Sequence, residues 1–205
     1  MAVAQHPKPA NLYRPSSTEP EIVDAPVALF LMADGKGDPN NSKDFEHAIQ
    51  ALYSCAYGLK FLLRKRGIEF RVAPLEGLWW APDMRVFSLE KKAAYHWTLM
   101  ITVPDQVTGA DLEEVREQVR RKRPSKALEH VRLIRFHEGL SAQVMHVGPY
   151  ATEGPTVAKL HAFIHEHGYT FDGIRQKHHE IYLGDPRRAA PDRLKTVIRQ
   201  PIMRA

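Results

Sequence analysis

Cysteine is nearly absent from this chain. Cys55 is its one thiol among 205 residues, which excludes an intramolecular disulfide framework and fits a reducing, cytoplasmic setting. Long apolar runs are missing as well. No stretch approaches the ~18 consecutive apolar residues of a membrane span, and MAVAQHPKPANLYRPSS at the start lacks the apolar core of a signal peptide. No membrane partner is expected. Neither sign of charge dominates: 29 Lys and Arg stand against 24 Asp and Glu, a net charge of +5. The basic excess gathers in Arg116 to Lys126 and in Arg187 to Arg204. In the first cluster Asp111, Glu113, Glu114 and Glu117 come early and the bases late, as a helix dipole favours, so it reads as solvated helix surface.

Several chemistries are excluded by missing motifs. There is no G-x-S-x-G nucleophile elbow, no G-x-G-x-x-G opening a helix and no Walker loop. GKGDPNN resembles a phosphate cradle only superficially and reads as a turn. Eleven histidines raise the question of a metal. His161 and His165 stand four apart on a predicted helix, but H-A-F-I-H lacks the glutamate of H-E-x-x-H, and His178 and His179 point to opposite faces of a strand. No metal and no cofactor are expected.

The positive signals are periodic. Five prolines in residues 1–26 predict a mostly irregular arm, which Leu12 and Tyr13 anchor. The apolar run from Val27 to Met32 predicts a strand ending at the loop ADGKGDPNN. A helix follows from about Asp44 to Arg66, with Ser42 as N-cap and Gly67 as stop. Strands are predicted at Glu69 to Ala73, Leu75 to Ala81 and Ala94 to Val103. Thr108 with Asp111 caps a helix reaching Arg123, which Pro124 breaks. Then the order restarts: one or two strands in Leu133 to Val147, the loop HVGPYATEGP, a helix from about Pro155 to His167, and strands at His179 to Leu183 and Leu194 to Arg199. The expected fold is α+β, a tandem duplication of a β-α-β-β unit around a central ligand cleft. Its repeats span about 27–103 and 133–202 within a single domain of residues 27–205, joined by a linking helix at about 108–130.

Two strands place carboxylates among rings. In HHEIYLGDPR, Glu180 and Tyr182 share one face while His179, Ile181 and Leu183 share the other; in PLEGLWW, Glu76, Leu78 and Trp80 oppose Trp79. With Tyr95, Trp97 and Tyr150 these residues form an acidic and aromatic constellation that predicts one shared pocket. A carboxylate desolvated among rings has its pKa raised, which suits a general base or the counter-ion of a bound cation. The rings supply flat apolar walls on which a cation gains about 0.5–2 kcal/mol.

The phrases IVDAPVALFLMADGKGDPN, PLEGLWW, HVGPYATEGP, HHEIYLGDPR and LKTVIRQPI, in that order, resemble the stand-alone branch of the GyrI-like small-molecule-binding family. The resemblance runs from about residue 20 to the C-terminus and implies two SHS2-type repeats with a ligand cleft. In relatives this domain often follows a DNA-binding helix-turn-helix and senses multidrug ligands; the proline-rich stretch before Val27 is short for such a module, so DNA binding is disfavoured. The stand-alone branch is similar to proteins that hydrolyse cyclopropanoid DNA alkylators, a detoxification. Carried over by motif, the resemblance points to Glu180, Tyr150, Trp79 and Trp80; Glu180 and Tyr150 are expected to be catalytic, and Trp79, Trp80, Trp97, Tyr95, Tyr182, Glu76 and His146 to bind the ligand. Gly184 departs from the Ser often found in relatives. Two readings follow: a cofactor-free hydrolase in which Glu180 handles water, or a non-catalytic protein that sequesters or senses small molecules with Glu180 as counter-ion.

Overall fold

A computed structural model describes residues 10–83 and 92–205. The chain divides into two compact units. The first takes residues 28–73 and 92–136 of the described chain, and the second takes 10–27, 74–83 and 137–205. Three α-helices and ten strands are present among the described residues, and the paired strands described below run antiparallel. This mixed α+β content is the predicted fold class.

In the first unit, β2 (Ala28–Lys36) is flanked by β4 (His96–Val103) and β5 (Arg132–Phe136). β2 runs further than its apolar stretch predicts. Asp34, Gly35 and Lys36 continue the ladder opposite Thr98, Trp97 and His96, and the turn begins only at Gly37, whose φ of 102° favours glycine. Gly35 is tolerated within the strand because the Trp97 ring lies over it: a Cβ there would stand 2.1 Å from the indole. Asp34 accepts from Thr98 Oγ1 at 2.7 Å and pairs with Arg132 at 2.6 Å.

Helix α1 (Lys43–Arg64) packs on this sheet. Ser42 accepts a hydrogen bond from the Phe45 amide at 3.2 Å, and Asp44 and Glu46 lie in the first turn, where the dipole favours acids. Gly67, at φ 78°, ends the helix, while the Ile68 amide reaches back to the Leu63 carbonyl at 3.1 Å. Helix α2 (Gly109–Lys122) starts on the predicted capping box, with the Thr108 hydroxyl and Asp111 carboxylate exchanging bonds with each other's backbone amides. Gly58 sets the approach of the two helices, since a Cβ there would stand 2.3 Å from Val115 Cγ1.

The second unit has the strand order β1-β6-β9-β8-β3, from β1 (Glu21–Ala25), β6 (Gly139–Val147), β9 (Lys195–Pro201), β8 (His178–Tyr182) and β3 (Leu75–Trp80). Helix α3 (Gly154–Glu166) covers one face through Leu160 and Ile164, which meet Ala142, Val144 and Ile198. A small pair, β7 (Tyr169–Thr170) and β10 (Met203–Arg204), closes the end of this unit's chain.

Three predicted features change. The arm is not irregular throughout: a short 3-10 turn at Ala10–Tyr13 precedes β1, which pairs with β6 between Pro20 and Pro26. Residues 69–73 hold no extended strand, and the ladder begins at Leu75, after a proline that has no amide to donate. Finally β3, counted in the first repeat, pairs with β8 of the second unit.

Val115 is fully buried, so the α1–α2 contact has no room to relax. Gly58→Ala gains about 1 kcal/mol of helix propensity against an overpacking cost of about 1–3 kcal/mol. The expected outcome is a lower urea midpoint, restored at least in part by adding Val115→Ala; a midpoint above wild type for Gly58→Ala alone would contradict this packing.

Candidate functional site

The site is built on β3 and β8, whose register sets Gly77 opposite Glu180, Leu75 opposite Tyr182 and Trp79 opposite His178. Alternation then sorts the side chains into two faces. Trp79, His178, Glu180 and Tyr182 share one, and Glu76, Leu78, Trp80, His179 and Ile181 the other; the alternation within each strand is as the sequence predicts, whereas the register puts Glu76 and Glu180 on opposite faces rather than in one pocket.

On the first face the polar groups form a chain. Trp79 Nε1 donates to the Tyr182 hydroxyl at 3.0 Å, and that hydroxyl donates to Glu180 Oε2 at 2.8 Å. The other carboxylate oxygen, Oε1, lies 3.2 Å from His178 Nε2. Gly77 makes room for this arrangement: a Cβ there would stand 2.8 Å from Trp79 Nε1 and 3.2 Å from the Tyr182 hydroxyl. The Glu180 side chain keeps 17 % of its surface exposed. Tyr150, in a short 3-10 turn before α3, sets its ring edge-on to Tyr182 at 5.7 Å.

The charge state of Glu180 departs from the sequence expectation. Burial pushes its carboxyl up, but the hydrogen bond and charge of His178, the Tyr182 hydroxyl and the charge of His179 together hold it below the usual range. Glu180 is therefore a standing anion at neutral pH. The two phenols go the other way. Burial first, then the charges of Glu153, Glu180 and Asp185, push Tyr150 up to about 12, and burial, then Glu180, raise Tyr182 well above the ordinary phenol value. Both phenols remain neutral donors.

The second face carries a buried ionic network. His179 Nδ1 meets Glu138 Oε1 at 2.6 Å, and its Nε2 lies 3.1 Å from Glu76 Oε2 as a charge contact without an aligned hydrogen bond. Arg199 donates to Glu138 at 2.9 Å, to Gln143 Oε1 at 3.0 and 2.9 Å, and to the Leu12 carbonyl at 2.6 Å. Tyr13 donates to Glu76 Oε1 at 3.0 Å. Desolvation alone would lower the His179 pKa, but Glu138 and Glu76 overcome it and raise it. With His179 protonated, two cations balance two carboxylates.

These positions sort the predicted residues. Glu180, Tyr182, Trp79 and Tyr150 come together. Glu76 faces away from Glu180 and is fully buried in the ionic network. Trp80 also faces away, and the Lys177 ammonium lies 3.5 Å from its ring centre. His146 is buried on β6 and bonds to the turn that carries Tyr150. Tyr95 and Trp97 belong to the other unit, where Trp97 is 1 % exposed and packs edge-on against Phe45 at 5.2 Å. His161 and His165 flank the Phe171 ring. Residues that sequence reasoning missed are His178 as the partner of Glu180, and Glu138 and Arg199 in the network. The i, i+2 spacing of His178 and Glu180 was a usable signal, as was an arginine inside the apolar run TVIRQPI.

No helix among the described residues is long and apolar enough to cross a membrane. A family model described as a GyrI-like small molecule binding domain matches residues 18–203. Among solved structures, an uncharacterised conserved protein from Listeria innocua is 40 % identical, with a TM-score of 0.87 over 94 % of this chain and 96 % of its own. A Listeria innocua protein described as a hydrolase is 39 % identical, with a TM-score of 0.81 over 94 % and 95 %. The C-terminal domain of EcmrR shares the fold at 12 % identity and a TM-score of 0.56, over 91 % of this chain and 98 % of its own. No curated protein matches.

The network predicts a pH dependence of stability. Because the folded state raises the His179 pKa above its ordinary 6.5, its contribution is complete below that value and is lost as pH rises through the folded pKa. Removing one charge from the network leaves its partner buried and unpaired, so Arg199→Met is expected to cost about 3–5 kcal/mol. Urea denaturation from pH 6 upward checks both, and a wild-type His179 contribution that grows with pH would contradict the assignment.

Proposed function

We propose, since the chain belongs to the GyrI-like small molecule binding domain family, that it binds planar apolar or cationic small molecules at the Glu180 face and hydrolyses electrophiles of the activated-cyclopropane type. The observation that carries this reading is the run Trp79, Tyr182, Glu180 and His178, which fixes an anionic, partly exposed carboxylate beside aromatic rings. The similarity to a protein described as a hydrolase supports it. A detoxifying role in the cytoplasm suits such a reaction, and Cys55, buried and pushed up to about 11 chiefly by burial, stays an unreactive thiol.

In this reading Glu180 accepts a hydrogen bond, and then a proton, from water. The water oxygen bonds to the strained methylene, a ring C–C bond breaks, and its electron pair moves onto the conjugated carbonyl oxygen. The proton held by Glu180 then passes through solvent to that oxygen or its carbon, so the net change is addition of one water. Tyr150, kept a neutral donor, hydrogen-bonds the carbonyl on which charge develops. A carboxylate held below its usual pKa is a modest base. Its work lies in orienting the water and in countering positive charge on the ligand.

That same depressed pKa favours a second reading, in which Glu180 is only the counter-ion of a bound cation and the ligand leaves unchanged. Mass spectrometry of an activated cyclopropyl ketone incubated with the protein separates the two. Hydrolysis predicts a product heavier by one water, and Glu180→Gln lowers its rate by about 10²-fold or more. Intact recovery of a tightly bound compound supports the counter-ion reading, while unchanged turnover by Glu180→Gln ends the assignment of Glu180.

A further inference from the structure

His146 sits at the end of β6 and is 5 % exposed, so its ring has little surface to offer a ligand. Its two nitrogens are both engaged with the segment that follows. Nδ1 is 3.0 Å from the Thr156 hydroxyl in the first turn of α3. Nε2 is 3.3 Å from the Pro149 carbonyl and 3.4 Å from Thr152 Oγ1. The Thr152 hydroxyl itself donates to the Pro149 carbonyl at 2.8 Å, which turns its lone pairs toward the imidazole. Both neighbours of Nε2 are therefore acceptors, and Nε2 carries the proton. Nδ1 then accepts from Thr156.

We infer that His146, as the neutral Nε2–H tautomer, is a positioning residue that sets Tyr150 against Tyr182 and thereby completes the Glu180 site. Tyr150 lies between the two points that His146 ties down: Pro149 immediately before it and Thr156 six residues after it. The intervening turn is closed by Thr152 N to Pro149 O at 2.9 Å, Glu153 N to Tyr150 O at 3.3 Å and the Thr152 hydroxyl to the Pro149 carbonyl at 2.8 Å, and His146 fastens this closed turn to β6 and to α3. Gly148 is part of the device. Its φ of 139° disfavours a side chain, and a Cβ there would meet His146 Nε2 at 3.3 Å and Thr152 Oγ1 at 3.2 Å. The sequence HVGPY thus encodes a staple: a histidine folds back over a glycine to grip the turn that presents the tyrosine. Tyr150 itself is 37 % exposed and has only the edge-on contact with Tyr182 as a described ring contact, so its place depends on the backbone that carries it.

The role of His146 in turnover rests on Glu180 and Tyr150 acting as proposed above; its grip on the turn does not. The test has two arms for that reason. In the first, ¹⁵N NMR at pH 8 reads the tautomer of His146 and the ¹⁹F signal of 3-fluorotyrosine at position 150, assigned by its loss in Tyr150→Phe. Wild type is expected to show the Nε2–H tautomer. His146→Ala shifts and broadens the Tyr150 signal, and Thr156→Val shifts it less. In the second arm, His146→Ala lowers kcat/KM for an activated cyclopropyl ketone by about 10-fold to 10²-fold through kcat, the loss expected from misplacing a reacting group by an ångström, and His146→Gln recovers part of it. An Nδ1–H tautomer, or a Tyr150 signal unmoved by both His146→Ala and Thr156→Val, overturns the inference whatever the activity. A moved Tyr150 signal with no turnover by wild type leaves the staple standing and refutes the hydrolytic reading instead.

Discussion

The second unit depends on one imidazolium held between two carboxylates. His179 is buried completely, and a charge there is tolerable only because Glu138 and Glu76 stand at its two nitrogens and Arg199 neutralises the surplus. The network ties β8 to β9 and to the turn before β6, and it reaches the N-terminal segment through the Leu12 carbonyl and the Tyr13 hydroxyl. Once His179 is fixed, strand geometry places the next residue on the opposite face. Glu180 is anchored from behind.

This explains why two adjacent residues of one strand carry such different electrostatics. His179 has no exposed side-chain surface, and its charge is consumed internally. Glu180 retains partial exposure and has donors at both oxygens, so it remains an anion. A sheet is well suited to this division, because side chains alternate across its faces while the ladder holds both at fixed spacing. A helix would place neighbouring residues only about 100° apart and would mix the two environments.

Much of this was legible in the sequence. The alternation in HHEIYL and LEGLWW assigns faces correctly because strand periodicity is strict, and Ser42, Gly67, Thr108 and Asp111 mark helix ends because orphan amides and carbonyls demand particular side chains. β1 escaped notice because Glu21 and Asp24 dilute its five residues and prolines bracket it, so only pairing with β6 makes it a strand. Glu138 and Arg199 lie 61 residues apart, a separation no local pattern encodes. The depressed Glu180 pKa was hidden for a similar reason. Desolvation can be inferred from apolar neighbours, whereas the donors that outweigh it are known only from positions. His146 was expected to bind ligand, whereas its contacts with Pro149, Thr152 and Thr156 are known only from positions.

Glu180 stands as a fixed anion among donors, rather than as a carboxylate kept neutral by its apolar surroundings. Titration of its side-chain carboxyl by ¹³C NMR tests this directly. The expected midpoint lies below the ordinary glutamate value of 4.5 and moves upward in Tyr182→Phe; a midpoint near neutrality in the wild-type protein would show a carboxyl kept neutral by burial.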